Sequence, residues 1–161
     1  MASPAYVWIV DDQGNEVKGD CQVRGREGSV EIFHFNYGVS MPVDKFNGST
    51  NGTRQHDTVM LTKPYDPTSP VLFKSACDGR TLKKVTVKWY RINENGKEEE
   101  YFTHDLEDVK IISYKQQLLH TKDEKNNDHV HEDVVEMRFG KITLKHHDGN
   151  IEHGDTWLER S

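Results

Sequence analysis

Only one stretch of this chain carries the punctuation of a helix; nearly everything else alternates like strand. From Thr62 to Gly79 it reads T-K-P-Y-D-P-T-S-P-V-L-F-K-S-A-C-D-G. Ser69 is a good N-cap, because its hydroxyl can accept a hydrogen bond from an orphan amide of the first turn. Pro70 then takes the first helical position, where a missing N–H costs nothing. Gly79 stands where a left-handed residue closes a helix. Leu72, Phe73 and Ala76 share one face, so the expected helix, about residues 69–78, anchors through Leu72 and Phe73. A helix this short is stabilised mainly by packing, and the rest of the chain offers only sheet to pack it against.

The strands are read from period-two alternation. Tyr6–Val10 is a first strand ending at a turn cluster, and Glu16–Arg24 a second, weaker one. Phe33, Phe35, Tyr37, Val39 and Met41 alternate with polar residues, which predicts one long strand with a buried face, ended by Pro42. Thr58–Thr62 leads into the helix. Val85, Val87 and Trp89 share a face of the next strand, Asn93–Gly96 is a hairpin turn, and a long strand returns from Glu100 to Leu119 with a bend near Leu106–Asp108. His120–Glu132 is polar loop. Val135, Met137 and Phe139 alternate, and the apolar phase then slips at Gly140, the mark of a bulge. Ile151–Leu158 closes the chain. Roughly seven to nine strands, several longer than average, predict a mainly-β single domain over 1–161: a compact two-sheet β-barrel with one short α-helix against it.

Between these strands lies a segment without periodicity: Val43, Asp44, Lys45, Phe46, Asn47, Gly48, Ser49, Thr50, Asn51, Gly52, Thr53, Arg54 and Gln55. It predicts a long exposed loop, with room for a small hairpin at its tip. A loop this long in a compact domain is usually functional or mobile.

Composition narrows the function. The charged share is 30%, the hydrophobic share 34%, and the net charge −6 without a basic block, which argues against a nucleic-acid groove or an anionic membrane surface. The N-terminus lacks the features of a secretory signal, so synthesis in the cytoplasm is expected. Cys21 and Cys77 read as two small buried hydrophobes. The Asn-Gly-Ser and Asn-Gly-Thr triplets at 47–49 and 51–53 read as loop composition.

The candidate chemistry is thin. Nine histidines include His129 and His131 as a His-x-His pair, His146-His147, and His153. Two imidazoles on one strand face could hold a metal, but the first pair falls in a charged loop, and solvated histidines are the plainer reading. Cys77 near a helix C-terminus is poorly placed to be a thiolate. Trp8, Trp89 and Trp157 are expected in the core. No motif predicts catalysis or a cofactor.

The chain resembles the haemolysin-coregulated proteins of type VI secretion systems. Four stretches carry the resemblance: the helix start from Thr62-Lys63 through Asp66, Ser69-Pro70 and Leu72 to Gly79; L-E-D-V-K-I-I-S-Y, 106–114; V-E-M-R-F-G-K-I, 135–142, with D-G-N-I-E-H-G-D-T-W, 148–157; and R-E-G-S-V-E-I, 26–32. The resemblance implies a non-catalytic, self-assembling subunit. Its copies would form hexameric rings that stack into an inner tube, working with sheath, spike and effector proteins and leaving the bacterial cytoplasm without a signal peptide. It also implies that residues 43–55 meet the neighbouring ring. A phage-type tail tube subunit shares this architecture, and a monomeric β-barrel binding module or histidine–metal protein is the alternative of another kind.

Overall fold

The computed structural model describes residues 3–157. Its strands are β1 (Ala5–Val10), β2 (Glu16–Val17), β3 (Val30–Ile32), β4 (His34–Asn36), β5 (Val39–Ser40), β6 (Gln55–His56), β7 (Val59–Pro64), β8 (Thr81–Ile92), β9 (Glu98–Gln117), β10 (Glu132–Arg138), β11 (Lys141–His146) and β12 (Ile151–Thr156). The helix α1 (Thr68–Asp78) interrupts them once. A ten-stranded antiparallel sheet runs β2-β1-β8-β9-β10-β7-β4, with β3 also on β1 and the β11–β12 hairpin on β9; β5 and β6 form a separate pair. The class is mainly β, as the alternation predicts. The expected closed barrel is not formed by a continuous ladder. Instead β3 pairs with β1 and β4 with β7, and the ladder changes partner at Phe33, whose N–H donates to Thr62 O at 2.8 Å.

That change of partner breaks the long strand expected from 33 to 41. Phe33, Val39 and Met41 are exposed, and only Phe35 and Tyr37 pack on the core. The second strand is also shorter than expected, Glu16–Val17, because the chain after it turns on local bonds such as Arg26 N to Val23 O. The phase slip at Gly140 is not a bulge within a strand. It is a junction: β10 pairs with residues 110–117 of β9, and β11 with residues 102–107 of the same edge. Gly140 N donates to Glu107 O at 2.8 Å, and a Cβ there would sit 3.1 Å from the Cβ of Asp108. β9 bends at this point, with Asp108 at φ 54°, a conformation Asp tolerates better than most residues. The bulge itself lies at Glu136/Met137. The strand expected over Ile151–Leu158 ends at Thr156, and Leu158 lies outside the described residues.

The core is one cluster in which Val7, Val87, Leu106, Val109, Val59 and Val135 are at most 1% exposed. Each such side chain contributes about 1.5–3 kcal/mol by leaving water. Leu72 carries α1 onto this core, 2% exposed, but Phe73 does not: it is 57% exposed, its ring centroid 6.1 Å from that of Tyr114. The buried face of α1 is instead Thr68, Ser69, Leu72 and Ser75. Cys77 is exposed and Cys21 half-buried, against the expectation of two buried thiols. Trp8 is half-buried, with the Lys88 ammonium 4.8 Å over its ring.

The start of α1 differs from the sequence reading. The helix begins at Thr68, so Ser69 is inside it and Pro70 is its third residue. The N-cap position falls on Pro67, which makes no side-chain cap bond, and Asp66 before it supplies the acceptor: its Oδ1 accepts from the N–H of Thr68 at 3.1 Å and from the Thr68 hydroxyl at 2.5 Å. Ser69 is taken by a stronger partner: its hydroxyl donates to Asp133 Oδ2 at 2.5 Å. Between them lies the fully buried Lys63, with its Nζ 2.8 Å from Asp66 Oδ1, 2.7 Å from Asp133 Oδ2 and 3.0 Å from Ser69 Oγ. Burial alone would raise the Asp133 carboxyl, but the bonds from Lys63 and Ser69 outweigh it and hold it below the ordinary range. Gly79 ends the helix at φ 66°, its N–H on Ser75 O.

Candidate assembly interface

Residues 39–56 form an arm rather than an open loop. β5 and β6 pair at its base, Val39 with His56 and Ser40 with Gln55. Further out, Asn51 N donates to Pro42 O at 2.7 Å, Val43 bridges Thr50, and Asp44 N donates to Ser49 O at 2.8 Å. The tip satisfies its own polar groups. Asp44 Oδ1 accepts from Phe46 N at 2.8 Å, and Asn47 Oδ1 from Ser49 N at 2.9 Å. These are Asx turns, the reason Asp and Asn suit such positions. The arm therefore has a defined shape without core of its own. Along it stand exposed Val39, Met41, Val43 and, at the very tip, Phe46, 102% exposed.

The base is fastened to the C-terminal hairpin. Arg54 grips Asp155 on β12 through Nε at 2.5 Å and Nη2 at 2.7 Å, and His56 Nε2 lies 2.8 Å from the same carboxylate. Tyr37 OH contacts His56 Nδ1 at 2.7 Å, and the His56 ring stacks on Trp157 with centroids 5.8 Å apart. Phe139 packs edge-on against His56 and Trp157. The bonds from Arg54, and then those from His56, lower the Asp155 carboxyl to about 2. Forked Arg–carboxylate pairs fix orientation as well as charge. Asp155→Ala is thus expected to free the base of the arm while sparing the core. A charge-assisted bond worth about 1.5 kcal/mol sets the scale, so tryptic cleavage after Arg54 should quicken about tenfold. Cleavage at the parental rate would show that the arm is held elsewhere.

Of the residues singled out in the sequence, Val43–Gln55 fall on the arm, while Ser69, Pro70, Leu72, Phe73 and Gly79 belong to α1 and do not meet it. Sequence reasoning missed Asp155, His56 and Tyr37. His56 ends the arm and Tyr37 precedes it in sequence, but Asp155 is about a hundred positions away and its pairing is visible only in three dimensions. The histidines are dispersed. His129 bonds Glu132 Oε1 at 2.9 Å, His147 lies 3.1 Å from Glu100 Oε1, and His131 faces the Tyr65 ring. Among the described residues no three His, Cys, Asp or Glu groups converge as a metal site, and no helix is long and apolar enough to cross a membrane.

Known proteins match the chain along its length. A family profile described as "Type VI secretion system effector, Hcp" matches residues 6–146. The chain is 31% identical to the "Major exported protein" of Pseudomonas aeruginosa, covering 98% of this chain and 96% of that one. Among solved structures, an Hcp1 variant from Escherichia coli is 39% identical with a TM-score of 0.88, covering 98% of this chain and all 100% of its own. The secreted protein Hcp3 of Pseudomonas aeruginosa is 27% identical with a TM-score of 0.80, covering 98% of this chain and 100% of that one. The chain belongs to the Hcp family, the tube subunits of type VI secretion systems.

Proposed function

We propose that copies of this chain close into hexameric rings, and that the rings stack into a hollow tube through the 39–56 arm. The observation that carries the reading is the arm itself. A chain with 30% charged residues holds four apolar side chains in water on a shaped, fastened projection, ending in a wholly exposed phenylalanine. Exposed apolar groups gathered in one place mark an interaction surface. The ring reading rests on the family. So does the rest of the assignment: export from the cytoplasm with the tube, contact with sheath and spike, carriage of effectors, and no catalytic step by this chain.

Phe46→Ser tests the arm. Burying a phenylalanine is worth about 1.5–3 kcal/mol, so its loss should weaken each ring-to-ring contact on the order of tenfold or more. Negative-stain images and light scattering should show intact rings and far fewer stacks. Rings that fall apart would place the arm inside the ring, and stacks of undiminished length would remove it from the contact.

A further inference from the structure

The arm leaves the fold at one end of β7, and a hollow of matching chemistry lies at the other. A surface cavity of about 330 Å³ is lined by Tyr6, Val23, Val30 and Tyr65, with Asp20 and Glu31 among them. Tyr6 and Val30 form a buried floor, while Val23 and Tyr65 stand 44% and 43% exposed as apolar walls. Asp20 and Glu31 are exposed, and among the described residues neither has an ion-pair partner within reach. Arg26, near Tyr6, is already paired with Glu98 at 2.7 Å. At the arm tip the arrangement is complementary: Phe46 carries the ring and its neighbour Lys45 an exposed ammonium.

The two features lie at opposite ends of β7. β6 at the arm's base runs through Asp57 and Thr58 into the start of β7, and Pro64 and Tyr65 at its far end reach the cavity. From His56 to Pro64 an extended chain covers about 26 Å, which separates the base of the arm from the cavity of its own copy. A projection at one end and a hollow at the other make a heterologous contact, and where the rotation between copies does not close, such a contact repeats along an axis.

We propose that the arm tip of one copy docks in this cavity of a copy in the next ring, Phe46 against Val23, Tyr6 and Tyr65, and Lys45 against Asp20 and Glu31. The proposal rests on the stacking reading above and names its receptor. Cys21 lines the same cavity, so the contact can be trapped. Lys45→Cys in a Cys77→Ser background, concentrated until stacks form and then oxidised with diamide, should give a ladder of disulfide-linked chains on a non-reducing gel. Adding Cys21→Ser should abolish the ladder. A complementary test reverses charge: Lys45→Glu should remove stacks, and Asp20→Lys with Glu31→Lys should restore them in that background. Stacks in the micrographs without a Cys21-dependent ladder would overturn the docking site and leave arm-mediated stacking intact. Rings that stack in neither the parent nor the variant, with no ladder, would sink both.

Discussion

Lys63→Met is expected to lower the melting temperature by about 10 °C or more. The side chain is fully buried, and its ammonium is the only cation between Asp66 and Asp133 among the described residues. Breaking a buried pair from one side costs about 3–5 kcal/mol, because the other charge stays behind unpaired. In a chain of this size each kcal/mol moves the midpoint by about 2–4 °C. Here two carboxylates would be stranded, and Asp66 Oδ2 already has no partner among the described residues. The cause is charge rather than packing, so removing the charges together should recover much of the loss. The triple variant Lys63→Met, Asp66→Asn, Asp133→Asn is expected to melt well above the single one. Lys74→Met, on the exposed side of α1, is the control and should shift stability by no more than about 0.5 kcal/mol. A single variant that melts with the parent would show that water reaches this site.

The same network marks where the sequence is legible and where it is not. Val59, Leu61 and Lys63 alternate along β7 and all face inward, so the period that predicts the strand also places Lys63 in the core. A lysine is read as surface by habit, and its burial is tolerable because Asp66, three positions on, and the facing Asp133, seventy positions on, both take its ammonium. Ser69 failed as a cap for a related reason: the helix starts one residue earlier, and while its hydroxyl donates to Asp133, its lone pairs accept from Lys63 Nζ and the Asp66 N–H rather than from a first-turn amide. Alternation from Phe33 to Met41 is equally clear in the sequence, yet three of its five apolar residues, Phe33, Val39 and Met41, face water. Period two says that a segment is extended; it does not say which partner covers it. At Phe33 the partner changes, and beyond Gly38 the segment becomes the arm. The outer part of the arm, residues 43–55, could be read from its Asn-Gly pairs and missing periodicity. Its fastening to Asp155 could not, since nothing local to either segment encodes it.

Acid should destabilise the fold through His104 well before the carboxylates titrate. His104 is 9% exposed, ringed by Phe35, Trp89 and Phe102. Trp89 Nε1–H donates to its Nδ1 at 2.8 Å, which requires a lone pair there and so a neutral ring. Burial pushes His104 down to about 4. An unfolded histidine takes its proton near 6.5. Between those values the unfolded chain binds the proton and the folded chain refuses it, so stability falls as the pH drops through that window and levels off below about 4. From pH 7.5 to pH 5 this one group should cost about 2 kcal/mol, since each unit of difference is about 1.4 kcal/mol. His104→Gln keeps an acceptor for the Trp89 indole and has no proton to gain. Urea unfolding of both proteins at the two pH values isolates the effect, because every other titrating group is shared. The parent should lose about 2 kcal/mol more than the variant. Equal losses would mean that His104 can be protonated inside the folded protein, and that the Trp89 contact does not hold it neutral.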